Sequence, residues 1–204
     1  MCSLASEQSS ATVKTLLCAN KAVRKLKGQN SCLRFQRLDG KCHIVAYSDA
    51  SFGNLGNGGS QGAYLVFIVD GKGKCNLISW QSKRIKRVVR SSLAAETLAL
   101  SDCIDAAVYI SKLYSEITCG NFQDKYLPVE IVTDNKSLVD SIGSKKPVTE
   151  KRLRIDISAI KEATDCNDVD LIRWVPTNKQ LANALTKQGA STWSLIQTLH
   201  QGML

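Results

Sequence analysis

HIVAYSDAS, residues 43–51, is the stretch on which the fold turns. It is an apolar run with β-branched residues, the mark of a buried strand. Immediately after it, FGNLGNGGSQG (52–62) holds five glycines and reads as a hairpin loop. AYLVFIVD (63–70) is a second strand, DGKGK (70–74) a turn, and CNLISW (75–80) a third strand. Strands joined by short glycine-rich turns imply an antiparallel meander.

Further along, Ser91 and Ser92 stand where a helix N-cap belongs, and Leu93, Leu100, Ile104, Val108 and Leu113 recur at mostly helical spacing as far as Ile117. LPVEIVTD (127–134) reads as a fourth strand ending in a carboxylate. Helices are expected at 136–141 and 149–164. VDLIRWVP (169–176) is a half-buried fifth strand closed by Pro176. TNKQLANALTK (177–187) begins another helix capped by Thr177 or Asn178, and 191–199 has helical character. The order βββαβα(α)βα predicts an α/β fold: one mixed five-stranded sheet, three antiparallel strands followed by two crossover strands, flanked by helices. Upstream, ATVKTLLCANKAVRKLK (11–27) carries Val13, Leu16, Leu17, Val23 and Leu26 on one helical face and stops at Gly28. The expected organisation is an N-terminal helical segment over 1–40, a domain over 41–190 and a C-terminal tail over 191–204.

A chain of 204 residues with 44% hydrophobic content can build a real core. The net charge of +9 suits a polyanionic partner, because Lys and Arg beside phosphates release condensed counterions, and equally suits a merely soluble basic protein. Eight cysteines without a CxxC pair, and only His43 and His200 to join them, argue against zinc and for reduced thiols in an intracellular protein. The opening MCSLASEQSS lacks a basic region followed by an apolar one, so no secretory signal is expected there. No stretch has the roughly 18 apolar residues of a membrane span, and no membrane partner is expected.

Three carboxylates occupy unusual places. Asp49 lies inside the first strand, Glu96 in the first turns of the long helix, and Asp134 at the carboxyl end of the fourth strand, where open α/β sheets place ligands. A carboxylate within an apolar strand costs several kcal/mol unless a partner or metal compensates it. Taken singly, each also reads as a turn, cap or dipole residue. Converging, they would repel one another, a conflict that a hard divalent cation such as magnesium resolves. Lys83, Arg84, Lys86, Arg87 and Arg90 form a run suited to phosphates or to bulk water. Ser91 and Ser92 stand at a helix N-terminus able to attract an anion. Trp80 and Trp174 read as core residues.

YSDAS (47–51), ISWQSKRIKRVVRSSLAAETLAL (78–100), VTDNKSL (132–138) and WVPTNKQLANALTK (174–187), in that order, resemble the ribonuclease H domain of Copia-type LTR retrotransposon Pol polyproteins. The resemblance spans about residues 43–187, and the helix at 11–27 resembles the connection that follows reverse transcriptase in such polyproteins. It implies hydrolysis of the RNA strand of RNA–DNA hybrids by two metal ions, magnesium or its substitute manganese. Asp49 would bridge both ions, with Glu96 and Asp134 supporting one side each. The fourth position of the set, an aspartate in the family, is Asn183 here. Its amide keeps an oxygen able to coordinate but lacks the charge that holds the second ion, so a weakened enzyme or a hybrid-binding module is the alternative reading. Lys83, Arg84, Lys86, Arg87, Arg90, Ser91, Ser92, Asn135 and Ser137 would contact the nucleic acid. The partners implied are the hybrid and the reverse transcriptase of the same polyprotein, in cytoplasmic particles or the nucleus. Integrases and proofreading exonucleases of similar fold fit less well, for there is neither a D-D-E arrangement nor a D-x-E pair on the first strand.

Overall fold

The computed structural model describes residues 4, 8–28, 33–56, 58–119, 127–146, 148, 150–187 and 189–204. They fall into two compact units, Met1–Leu33 and Arg34–Leu204. The first contains helix α1 (Val13–Lys27). Thr12 and Thr15 form a reciprocal cap at its start, Arg24, Lys25 and Lys27 complement the dipole at its end, and the Gly28 amide donates to Arg24 O at 3.1 Å.

In the second unit, strands β1 (Cys42–Ser51), β2 (Gln61–Asp70) and β3 (Cys75–Arg84) form the meander. Helix α2 (Ser92–Cys119) crosses over to β4 (Val129–Thr133). Helices α3 (Lys136–Gly143) and α4 (Lys151–Asp165) lead to β5 (Leu171–Trp174). A 3-10 turn (Thr177–Lys179), a short helix α5 (Asn183–Thr186) and helix α6 (Trp193–Gln201) complete the chain. The sheet order is β3-β2-β1-β4-β5, with β1–β4 and β4–β5 parallel, as the element order predicts. No helix among the described residues is long and apolar enough to cross a membrane.

Alternation along β1 explains why its run is continuously apolar. Ile44 and Ala46 face a core built with Leu100, Ile104, Leu138, Leu153 and Ile157 of α2, α3 and α4. Val45 and Tyr47 face the other core, with Phe67, Val132, Val175, Leu181 and Leu195. β1 is therefore buried on both faces and paired on both edges.

Three expectations need correction. β3 runs four residues past CNLISW, so Lys83 and Arg84 belong to a strand rather than to a loop; both pair with β2, at Gly62 and Gln61. Residues 177–187 do not form one helix capped by Thr177 or Asn178. Side chains there take bonds that a helix would make: Gln180 Nε2 donates to Ser48 O at 2.9 Å, Gln180 Oε1 accepts from the Ala182 amide at 3.1 Å, and Asn183 Nδ2 donates to Thr177 O at 2.8 Å. Finally, Trp80 and Trp174 are not core residues, being 54% and 44% exposed. They stand on β3 and β5, the two outer strands, where no neighbouring strand covers them.

Small residues fix how closely α2 approaches the sheet. Ala50, Ala95 and Ala99 form a buried cluster of their own, and a Cβ added to Gly62 would meet Ala99 Cβ at 3.3 Å. Ala99→Leu should overpack this seam, lower stability by roughly 1–3 kcal/mol and push the start of α2 from β1, a loss that urea denaturation measures directly.

Candidate metal centre and its surroundings

Asp49 and Asp134 come together through strand register. β1 and β4 run parallel with Tyr47 opposite Val132. Two residues further on, each chain reaches its aspartate at the carboxyl end of its strand. Glu96 arrives from above, on the first turn and a half of α2, held close by the alanine seam. One carboxylate oxygen from each of Asp49, Glu96 and Asp134 lies within 4.8 Å of the other two.

Burial makes this cluster costly. Asp49 is fully buried and Glu96 is 7% exposed. Glu96 Oε2 has no hydrogen-bond partner. Desolvation, then the charges of Asp49 and Asp134, push the Glu96 carboxyl up to about 9, although the Ala50 backbone amide and Lys187 oppose the rise. Asp49 is raised as well, chiefly by desolvation and further by Asp134, against hydrogen bonding from Thr186 and the charge of Lys187. Three oxygen-bearing acids at this spacing, one of them with an orphaned buried oxygen, suit a hard divalent cation.

Asp49 has the parity of Val45 and Tyr47, so its carboxylate turns to the face covered by the C-terminal segment. There Thr186 Oγ1 donates to Asp49 Oδ2, and Lys187 Nζ lies 3.3 Å from Asp49 Oδ1. Lys187 Nζ also donates to Asn183 Oδ1, while the Asn183 amide nitrogen donates to Thr177 O. Asn183 thus stands beside Asp49, joined to it through a lysine. Thr186 and Lys187 carry no role in the sequence reading, although spacings of three and four from Asn183 put them within reach of the same helical face.

The residues expected to meet nucleic acid are less uniform. Lys83 pairs with Asp102 at 3.1 Å and Arg87 with Asp156 at 2.8 Å. Asp156, the partner of Arg87, lies outside the carboxylate cluster. Arg84, Lys86 and Arg90 are exposed. Ser91 Oγ accepts from the Ala94 amide at 3.1 Å and Asn135 Oδ1 from the Leu138 amide at 3.0 Å, so both act as helix caps. Ser92 and Ser137 are exposed in the first turns of their helices.

Sheet order and flanking helices together define a ribonuclease H-like fold. Among solved structures, the chain is similar to the compost-derived LC11-RNase H1 in complex with RNA/DNA hybrid, at 18% identity and TM-score 0.50, over 70% of this chain and 93% of that one. It is similar also to a foamy viral protease–reverse transcriptase in complex with RNA/DNA hybrid, at 16% identity and TM-score 0.50, over 79% of this chain and 22% of that one. More particularly, over 168 residues, 81% of its length, the chain is 28% identical to the retrovirus-related Pol polyprotein from transposon TNT 1-94 of Nicotiana tabacum. It spans 12% of that polyprotein's length. The resemblance to a retroelement Pol polyprotein read from the motifs is borne out. No family model matches the chain.

The raised acids carry a sign for stability. An acid whose folded pKa lies above its unfolded value contributes most below the unfolded pKa, and that contribution is lost as pH rises. The metal-free protein should therefore lose thermal stability as pH climbs from about 4.5 towards about 9. Glu96→Gln should flatten that slope, as differential scanning calorimetry in chelator will show.

Proposed function

We propose that this chain is the ribonuclease H module of a retrotransposon Pol polyprotein and that it hydrolyses the RNA strand of RNA–DNA hybrids at a divalent metal centre. The observation that carries this reading is the trio Asp49, Glu96 and Asp134, the first two buried and the third partly exposed, with Glu96 Oε2 lacking any donor from the protein. The ribonuclease H fold, the Pol relative and the hybrids bound by two structural relatives support it.

Asp49, Glu96 and Asp134 would hold magnesium or manganese, which when bound supplies Lewis-acid polarisation of the phosphate and a more acidic water. Water adds at phosphorus, the bond to the 3′-oxygen breaks, and the products carry 5′-phosphate and 3′-hydroxyl ends. Asp49, the most buried of the three, anchors the centre; Glu96 and Asp134 flank it. In the family's two-ion scheme a second ion would draw on Asp49 and on Asn183, which offers an oxygen without a charge. Lys187, half exposed beside Asp49, adds positive charge on the side where phosphate oxygens would gather. Arg84, Lys86 and Arg90 would contact backbone phosphates, with Lys83 and Arg87 contributing where their carboxylate partners release them. Ser92 and Ser137 would lie near the sugar edges. Discrimination of hybrid from duplex DNA would rest on contacts to 2′-hydroxyls across the minor groove.

Two measurements test this. Purified protein incubated with end-labelled hybrid in magnesium or manganese should release short RNA products, and Asp49→Asn or Glu96→Gln should cut the rate at least ~100-fold. Tight hybrid binding with no product from the wild type would favour the binding-module reading instead. Separately, the Arg84→Ala/Lys86→Ala/Arg90→Ala variant should weaken hybrid binding and reduce the slope of log K against log salt by roughly 2–3, since each phosphate contact contributes about 0.7–0.9.

A further inference from the structure

We infer that the Lys187 ammonium stands in the place of the second divalent ion, so that this chain holds one ion and completes the charge balance with its own side chain. The inference rests on the metal-centre reading above and deepens it.

Four observations lead there. Lys187 Nζ touches both groups that would share a second ion, Asp49 Oδ1 at 3.3 Å and Asn183 Oδ1. It is fixed by the short helix: the Lys187 amide donates to Asn183 O at 3.1 Å, which sets the two side chains four residues apart on one face. Position 183 is shaped for an amide, because Asn183 Nδ2 donates to Thr177 O at 2.8 Å. A carboxylate there, unrotated, would turn an oxygen towards that carbonyl oxygen, a repulsive contact. Charge completes the case. Asp49, Glu96 and Asp134 carry three negative charges when ionised. One divalent cation and one ammonium neutralise them, and Asn183 adds no charge that a further cation would need.

The place also has access. A cavity of about 270 Å³ borders Thr177, Asn183 and Lys187. Removing the lysine side chain leaves room that water and ions can reach, so the idea is open to direct test.

Manganese titration of the full chain without nucleic acid, read by the electron paramagnetic resonance of free manganese and by calorimetry, counts the ions independently of cleavage. The wild type should bind one equivalent. Lys187→Ala, which removes a partly exposed side chain and leaves the core intact, should bind its first ion at least about 3-fold more tightly, because a repelling cation is gone. Asn183→Asp/Lys187→Ala, checked for folding by circular dichroism, should bind two equivalents. Two equivalents in the wild type, an unchanged first affinity in Lys187→Ala, or a folded double variant that still binds one would overturn the inference while leaving the metal centre standing. No bound manganese in the wild type would overturn the inference and the metal-centre reading together.

Discussion

Carboxylates crowded together, two of the three out of water, are the constraint around which this domain is arranged. Asp49, Glu96 and Asp134 bring carboxylate oxygens within 4.8 Å of one another, and the protein gives Glu96 Oε2 no donor at all. A carboxylate in such a place either takes up a proton or acquires a cation, since the unpaired charge costs several kcal/mol. Thr186 and Lys187 bond to Asp49, and the charge of Lys187 also eases Glu96 without offsetting its burial. The rest of the cluster remains in conflict with its surroundings, and burial of β1 on both faces and both edges offsets that conflict. A strand less well embedded would bend away and let its acid reach water.

The same embedding sets the precision of the site. Asp49 and Asp134 each stand two residues beyond the last paired position of adjacent parallel strands, Tyr47 opposite Val132, so the backbone pairing just before them sets their separation. Glu96 has no such ladder. Its place follows from side-chain size, through Ala50, Ala95, Ala99 and Gly62, which let the helix descend to van der Waals contact with the sheet. Two aspartates are held by register and the glutamate by packing. Packing defects beneath α2 therefore act on one member of the trio and spare the other two.

Much of this was legible in the sequence. The apolar strand with an acid inside it, the glycine-rich hairpins and the order of the four motif segments are local features, and they led to the sheet and to the trio. What escaped was non-local. The break in residues 177–187 depends on Gln180 reaching Ser48, a contact 132 residues away along the chain. That break sets where α5 begins, and so whether Lys187 faces Asp49. Composition likewise misplaced Trp80 and Trp174: large aromatic side chains suggest a core, but outer strands leave them half exposed. The basic run looked uniform because Asp102 and Asp156, the partners of Lys83 and Arg87, lie on other parts of the chain.

Those two ion pairs narrow the surface that, in the proposed function, would meet a phosphate backbone. Exposed pairs of this kind contribute little to stability, about 0–1 kcal/mol, so a phosphate can replace either carboxylate at small cost. The acid trio would act in the opposite sense: without a cation it would repel the same backbone that Arg84, Lys86 and Arg90 are proposed to attract. In the proposed reaction a phosphodiester can come to the site only once a cation has reversed the local charge, and its own charge then strengthens the hold on that cation. Linkage makes the effect reciprocal, so ion and hybrid bind with positive coupling. In that reading the basic residues would gather the nucleic acid, and the acid trio, through the cation it would hold, would decide where along it the chain acts.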